Sequence, residues 1–201
     1  MKVSAGAARN SGDETDVGLV AAVARGDSAA FRKLTDSYLA PVHRLAARML
    51  DDRSEADEVT QDTFLKLWTH ASRWQPAAAD SHILPWLRTI VMNACIDRVR
   101  RRKFDGGSQI PDRADDAVSA PDQFDQGRLG NLVARALAGL ADRQRAAIVL
   151  TYYEELSNAQ AAATMSLNLK AFESLLLRAR QTLKSELAAK GIGPTDLREV
   201  A

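Results

Sequence analysis

Residues 157–181 read SNAQAAATMSLNLKAFESLLLRARQ. Ser157 carries a side chain that can cap a helix. The Ala-rich run behind it predicts a short helix, Asn158–Met165, in which the small Ala161 lets another helix approach closely. Ser166-Leu167-Asn168 predicts a three-residue turn. A long helix is then expected from about Leu169 to Ala189. Leu169, Phe172, Leu176, Ala179, Leu183 and Leu187 recur at helical steps as its buried stripe. Short helix, tight turn and longer helix make the helix-turn-helix pattern. In that motif the second helix enters the DNA major groove, and its N-terminal residues reach base edges. The face opposite the stripe presents Lys170, Glu173, Ser174, Leu177, Arg178 and Gln181. Arg suits guanine edges, Gln suits adenine, and Ser serves either. A plain helical hairpin with a solvated polar face has the same local pattern, so the rest of the chain must decide.

Upstream, Leu129, Val133, Leu137 and Leu140 keep a helical period, with breaks near Ala141-Asp142 and Leu156-Ser157. Before them lies FDGGSQIPDRADDAVSAPDQFDQG, residues 104–127, rich in Gly, Pro, Asp and Ser. It reads as a flexible acidic linker. Its one basic and six acidic side chains give a net −5, between flanking blocks of +3 each. Such asymmetry says more about partners than the overall +1.

The N-terminal half is also helical. Leu19, Val20 and Val23, then Phe31, Leu34 and Tyr38, recur at steps of three and four. Gly26-Asp27 separates two helices, and Asp27 can cap the second. A further helix is expected to hold Val42, Leu45, Ala46, Met49 and Leu50. Ser54 or Asp52 can cap the next, which runs roughly from Glu55 to Ser72. On it Asp57, Glu58, Gln61 and Asp62 share one side. Such a stripe faces water or docks on a basic partner. After a loop beginning at Trp74, Pro85 suits the first turn of another helix. That helix ends in Arg98, Arg100, Arg101, Arg102 and Lys103, five cations in six positions. Such a cluster can neutralise phosphates independently of sequence. Trp74 and Trp86 bracket the loop. Aromatics beside cations hold the unstacked bases of single strands, although Trp86 on an apolar helix face also suits a core.

Composition excludes several classes. The lone Cys95 forms no internal disulfide, and His43, His70 and His82 share no metal-ligand spacing. No apolar run nears the roughly 18 residues of a membrane span, and MKVSAGAARNSGDETD lacks the apolar region of a signal peptide. The expectation is a cytoplasmic chain without membrane contact or cofactor. No nucleophile–base pair, Gly-rich phosphate loop or metal motif supports an enzyme. The fold class is all-α, with two small helical domains, residues 16–103 and 128–190. A disordered N-terminus of about 15 residues and a tail, residues 191–201, flank them.

The order of these pieces resembles the sigma-70 family of RNA polymerase sigma factors, specifically its extracytoplasmic function (ECF) group. The matching strings are VARGDSAAF at residues 23–31, DEVTQDTFLKLW at 57–68 and WLRTIVMNACIDR at 86–98. LADRQRA at 140–146 and the helix-turn-helix through Arg180 complete the set. The resemblance implies a non-enzymatic promoter-specificity subunit of bacterial RNA polymerase. It implies that Asp57, Glu58, Gln61, Asp62 and Leu65 bind the β′ clamp helices of the core, with the β flap as a second core contact. Trp74, Arg88, Asn93, Arg98, Arg101 and Arg102 would engage the single-stranded −10 element, and the loop Gln75–Leu84 would hold a flipped base. Lys170, Glu173, Ser174, Leu177, Arg178 and Gln181 would read the −35 duplex. An anti-sigma factor would be the regulator, and the linker would thread toward the RNA exit path.

The chain departs from the family pattern at its turn, where Ser166 stands for the usual Gly. It also departs at Glu173, Leu175 and Leu177, positions often basic or polar in relatives. The loop between Trp74 and Trp86 is a few residues longer than common, which leaves open which residue holds the flipped base. Leu175 and Leu177 lie off the buried stripe, placed to pack on a neighbouring helix or to meet a protein partner. A stand-alone repressor or activator is the competing reading, and it leaves the 57–68 helix without a role.

Overall fold

The computed structural model describes residues 15–78, 81–104 and 132–191. Among them every regular element is helical. The N-terminal stretch to residue 14, Ala79 and Asp80 of the expected flipped-base loop, the linker beyond Phe104, Leu129 and residues 192–201 lie outside the described residues.

Polar caps set the N-terminal helices. The Thr15 hydroxyl accepts from the Gly18 N–H at 3.3 Å and starts α1 (Asp16–Ala24). Gly26, at φ +88°, takes the left-handed turn that ends it. Asp27 then caps α2 (Ser28–Met49), accepting from the N–H groups of Ala29 and Ala30 at 2.8 and 3.1 Å. Asp52, not Ser54, caps α3 (Arg53–His70) by accepting from Glu55 N–H at 3.0 Å. A 3₁₀ turn, Ala71–Arg73, leads to the loop, and α4 (Leu84–Phe104) follows with Pro85 in its first turn.

The separate helix expected after Pro41 does not exist; α2 continues through Pro41 as one helix of 22 residues. Pro41 cannot donate to the carbonyl four residues back. That carbonyl belongs to Ser37, which is exposed, so water can serve it. Leu34, Val42, Leu45, Ala46 and Met49 bury one stripe on both sides of the break and hold the helix together. Against that stripe pack Leu67 of α3 and Leu87, Val91, Met92 and Cys95 of α4. Burial pushes the Cys95 thiol up to about 12, so it is a small apolar core residue at neutral pH.

The C-terminal half comprises α5 (residues 132–138), α6 (Asp142–Ile148), α7 (Asn158–Thr164) and α8 (Leu169–Ala189), with one π-helical stretch, Val149–Tyr153, continuing α6. Ser157 and Gln160 cap α7 reciprocally. The hydroxyl accepts from Gln160 N–H at 3.3 Å, and Gln160 Oε1 accepts from Ser157 N–H at 3.0 Å. Asn168 caps α8 through Ala171 N–H at 2.8 Å. Phe172, Leu176, Ala179 and Leu187 are buried and Leu183 partly so, as the stripe predicts. Leu169 is a correction, since it is 45% exposed at the first position of α8. Leu167, in the turn, is the residue packed on the core there.

The two bundles pack on each other, and one continuous apolar cluster runs from Val20 to Ala179. Two buried charges cross the junction. Arg145 of α6, 4% exposed, donates to the carbonyls of Leu137 (2.9 Å) and Met49 (2.8 Å) and to Asp51 (3.2 Å). Glu154, just after the π turn, accepts two bonds from Arg88 of α4, at 3.1 and 2.9 Å, and one from Arg48 of α2 at 3.3 Å. Its side chain is only 8% exposed. Tyr153 lies under the same Arg48, 4.9 Å from its guanidinium carbon.

Two predictions follow from this packing. Ser166 sits at φ +53°, a region that costs a non-Gly residue about 1–2 kcal/mol. Ser166→Gly is expected to stabilise the protein by about 0.5–1 kcal/mol after the unfolded-state entropy of Gly is offset, raising Tm by about 2 °C in a thermal melt. Ser166→Val should lower it. Glu154→Ala strands two guanidinium groups. It should cost about 2 kcal/mol in urea unfolding, below the roughly 3–5 of a fully buried pair because Arg48 is one-third exposed. Glu154→Gln, which still accepts, should recover part of the loss.

Candidate functional site

The acidic stripe of α3 and the basic end of α4 lie side by side, and part of each is used on the other. Arg98 donates to Glu58 at 2.7 Å, and Arg102 pairs with Glu55. The Glu58 hydrogen bond raises Arg98 further above its already high range, so its charge is fixed. Asp57 pairs instead with His43 of α2 at 2.8 Å. Arg100 is exposed and bonded to Asp97 at 2.9 Å. Arg101 is exposed. The four arginines of the cluster therefore divide: two brace α4 on α3, and Arg100 and Arg101 face solvent, while the Lys103 side chain lies outside the described residues.

The outer side of α3 keeps Asp57, Glu58, Gln61 and Asp62 exposed. Among them Leu65 is 57% exposed. An exposed apolar side chain one turn from Asp62 and Gln61, on the helix that carries the other exposed acids, has the anatomy of a docking patch, an anchor beside polar residues.

A shallow cleft of about 350 Å³ lies between α3 and α4, lined by Lys66, His70, Arg73, Trp86 and Ile90. Cations beside an indole fit a nucleic-acid strand, phosphates to the former and a base to the latter. Sequence reasoning singled out Trp86 and missed Lys66, His70 and Arg73. Their signal was present, since Lys66 and His70 stand one turn apart and Arg73 follows. It becomes a cleft only when α4 lies alongside.

The other candidate −10 residues fare differently. Asn93 is exposed. Trp74 is half-buried and packed on the margin of the core, as is Trp86. Arg88 is bonded to Glu154 and bridges the two bundles. The loop between them is held at its far end by Asp16. Its Oδ2 accepts from Ile83 N–H at 2.9 Å and from the Tyr38 hydroxyl, with His82 Nδ1 at 3.5 Å.

On α8, Lys170, Glu173, Ser174, Leu177, Arg178 and Gln181 are all exposed, on the side away from Phe172, Leu176 and Ala179. Leu177 is 57% exposed, whereas Leu175 is half-buried against the core. The two leucines thus separate, one for packing and one for the surface. Arg180 covers Tyr152, 5.5 Å from the ring centre. No cluster of three or more metal-capable side chains forms among the described residues. No described helix is long and apolar enough to cross a membrane.

Comparison with known proteins identifies the family. The family described as Sigma-70 region 2 matches residues 34–104, and Sigma-70, region 4 matches residues 130–183. The ECF RNA polymerase sigma factor SigK of Mycobacterium ulcerans is 32% identical over 177 residues, 85% of this chain and 92% of that one. SigK of Mycolicibacterium vanbaalenii is 33% identical over 162 residues, 78% and 81% of the two chains. Among solved structures, CnrH in complex with the cytosolic domain of CnrY superposes with a TM-score of 0.61 at 26% identity, covering 87% of this chain and 97% of that one. RpoE of Bartonella quintana, solved with the anti-sigma factor NepR, shares the fold at a TM-score of 0.57 and 22% identity, over 79% and 96%. Two region matches in the right order, and relatives matched over most of their length, make this chain a member of the sigma-70 family, in its ECF group.

Proposed function

We propose that the chain is a promoter-specificity subunit of bacterial RNA polymerase that binds the core enzyme, reads the −35 element as duplex and the −10 element as single strand, and promotes strand opening. The observation that carries this reading is the outward face of α8. It presents six candidate base-contacting residues, all exposed, on the second helix of a helix-turn-helix whose opposite side is buried. Arg178 and Gln181 offer hydrogen bonds to purine edges, Glu173 an acceptor for cytosine, and Leu177 an apolar surface for a thymine methyl.

The α3 patch around Leu65 supplies the docking surface for the β′ clamp helices, and the β flap is the second core contact. The cleft of Lys66, His70, Arg73 and Trp86 supports the single-strand role: the cations hold phosphates and the indole stacks. Asn93 contributes a polar contact, and Arg101 a free cation. The loop Gln75–Leu84 takes the flipped base, whose unstacking is offset by contacts in its pocket. Arg98 and Arg102 act mainly by bracing α4 and adding positive field. Arg88 reaches DNA only when Glu154 lets it go. The role needs no catalysis and no cofactor from this chain, and it is exercised in the cytoplasm, where the polymerase works. Control by a protein partner is supported by CnrH, a relative solved in complex with the cytosolic domain of CnrY. The class of partner proposed is an anti-sigma factor. Residues 16–103 and 128–190 are the two functional units, with residues 104–127 as the tether.

The direct test is co-purification with bacterial core polymerase followed by transcription from a genomic fragment library. Stable 1:1 binding with initiation at a few fragments supports the reading. Tight duplex binding without polymerase association replaces it with a stand-alone regulator. Asp62→Lys is expected to abolish polymerase association in a pull-down while the circular dichroism spectrum and Tm stay unchanged. Arg178→Ala should weaken discrimination at one −35 position by about 1–3 kcal/mol in competition binding. A uniform loss across sequences would make it a phosphate contact.

A further inference from the structure

Asp16 lies outside the residues that match the region 2 family, 34–104. Yet it makes a set of contacts at the loop proposed to hold the −10 base. It is the first residue of α1, and its side chain is 12% exposed. Oδ2 accepts from the Ile83 N–H at 2.9 Å and from the hydroxyl of Tyr38 on α2. Ile83 is fully buried, and its own carbonyl accepts from the N–H groups of Trp86 and Leu87 at 3.0 and 3.1 Å, the first turn of α4. Without Asp16 the Ile83 N–H would lose its acceptor in an apolar setting, at the point where loop becomes helix. α1 also packs against the 3₁₀ turn Ala71–Arg73, the other stem of the same loop. Burial, the hydrogen bond to Asp16 and the Asp16 charge raise the Tyr38 hydroxyl above its ordinary range, so it remains a donor to that carboxylate.

We propose that Asp16, supported by Tyr38, is a positioning residue for −10 recognition: it fixes the 81–83 stem, and through it the start of α4 and the placing of Trp86. The inference rests on the −10 reading given above. Asp16 touches no DNA in this scheme. It sets where the 81–83 stem and the indole stand, and a stem free to sample several positions presents no one base well. A stem bond broken in a buried place should therefore lower discrimination rather than general affinity.

The test uses polymerase holoenzyme reconstituted with the full chain and a promoter library randomised separately in the −35 and −10 windows. Sequencing the retained DNA gives the selectivity of each window. Asp16→Ala is expected to reduce −10 selectivity about tenfold, the effect of leaving a buried donor unpaired, with −35 selectivity and polymerase association within about twofold of wild type. Asp16→Asn, which keeps an oxygen for the Ile83 N–H, should restore most of it. Tyr38→Phe should give a smaller loss confined to the same window. Unchanged −10 selectivity in Asp16→Ala, or equal losses in both windows, overturns the proposal. If Asp16→Ala does not fold, Tyr38→Phe decides: a −10-confined loss supports the proposal and its absence overturns it. A wild-type holoenzyme that selects nothing in the −10 window instead refutes the −10 reading itself.

Discussion

The carboxylate of Glu154 is the contact on which the arrangement of the two bundles depends. It lies on the C-terminal bundle, nearly out of water, and among the described residues its hydrogen bonds come from Arg88 and Arg48 of the N-terminal one. A carboxylate so placed without partners would be costly, and the same holds for the guanidinium groups facing it. Arg145 makes the reverse crossing, with its own bonds to Met49 and Asp51. Neither charge is satisfied inside its own bundle alone. Around them the apolar contacts between α4, α6 and α7 are continuous with both cores, so polar and apolar terms favour the same docked geometry.

The π-helical stretch explains how Glu154 arrives there. Its i→i+5 step widens the helix end, seen in the Glu154 N–H bonding to the Val149 carbonyl at 3.1 Å. Tyr152 and Tyr153 then face outward, and each lies against an arginine, Arg180 and Arg48. Glu155 follows at φ +52° and turns the chain toward the cap of α7. Strained backbone at Glu155 and Ser166 thus frames the short helix of the helix-turn-helix, and buried contacts of Ala161, Ala162 and Met165 hold it in place.

Charge is distributed by the same logic. Buried or half-buried arginines, Arg145, Arg88, Arg98 and Arg102, are consumed in structure. The charges exposed on the candidate faces include Asp62 near Leu65 on α3, Lys66 and Arg73 at the cleft, Arg101 on α4, and Lys170 and Arg178 on α8. Exposed pairs such as Arg100 with Asp97 contribute little to stability and leave these faces adaptable.

The all-α class, the helix-turn-helix, its buried stripe from Phe172 onward, and the caps at Asp27 and Ser157 were legible in the sequence. They depend on neighbours within one or two turns, where periodicity and side-chain chemistry act directly. The family was legible too, from the order of five short motifs. The α8 and α3 faces followed, because a helical residue opposite a buried stripe has only one side to occupy. Tertiary structure alone decided the rest. Pro41 stays within α2 because the apolar stripe on both sides of it is buried against α3 and α4. Arg88, Arg98 and Arg102 look like equal members of a DNA-binding set in the sequence. Only long-range packing reveals that acids on other elements hold each of them. Lys66, His70 and Arg73 become a cleft, and Asp16 a support of the loop, through contacts between segments far apart in the chain. Local sequence carries no information on such pairings, because they are set by how whole helices settle on one another.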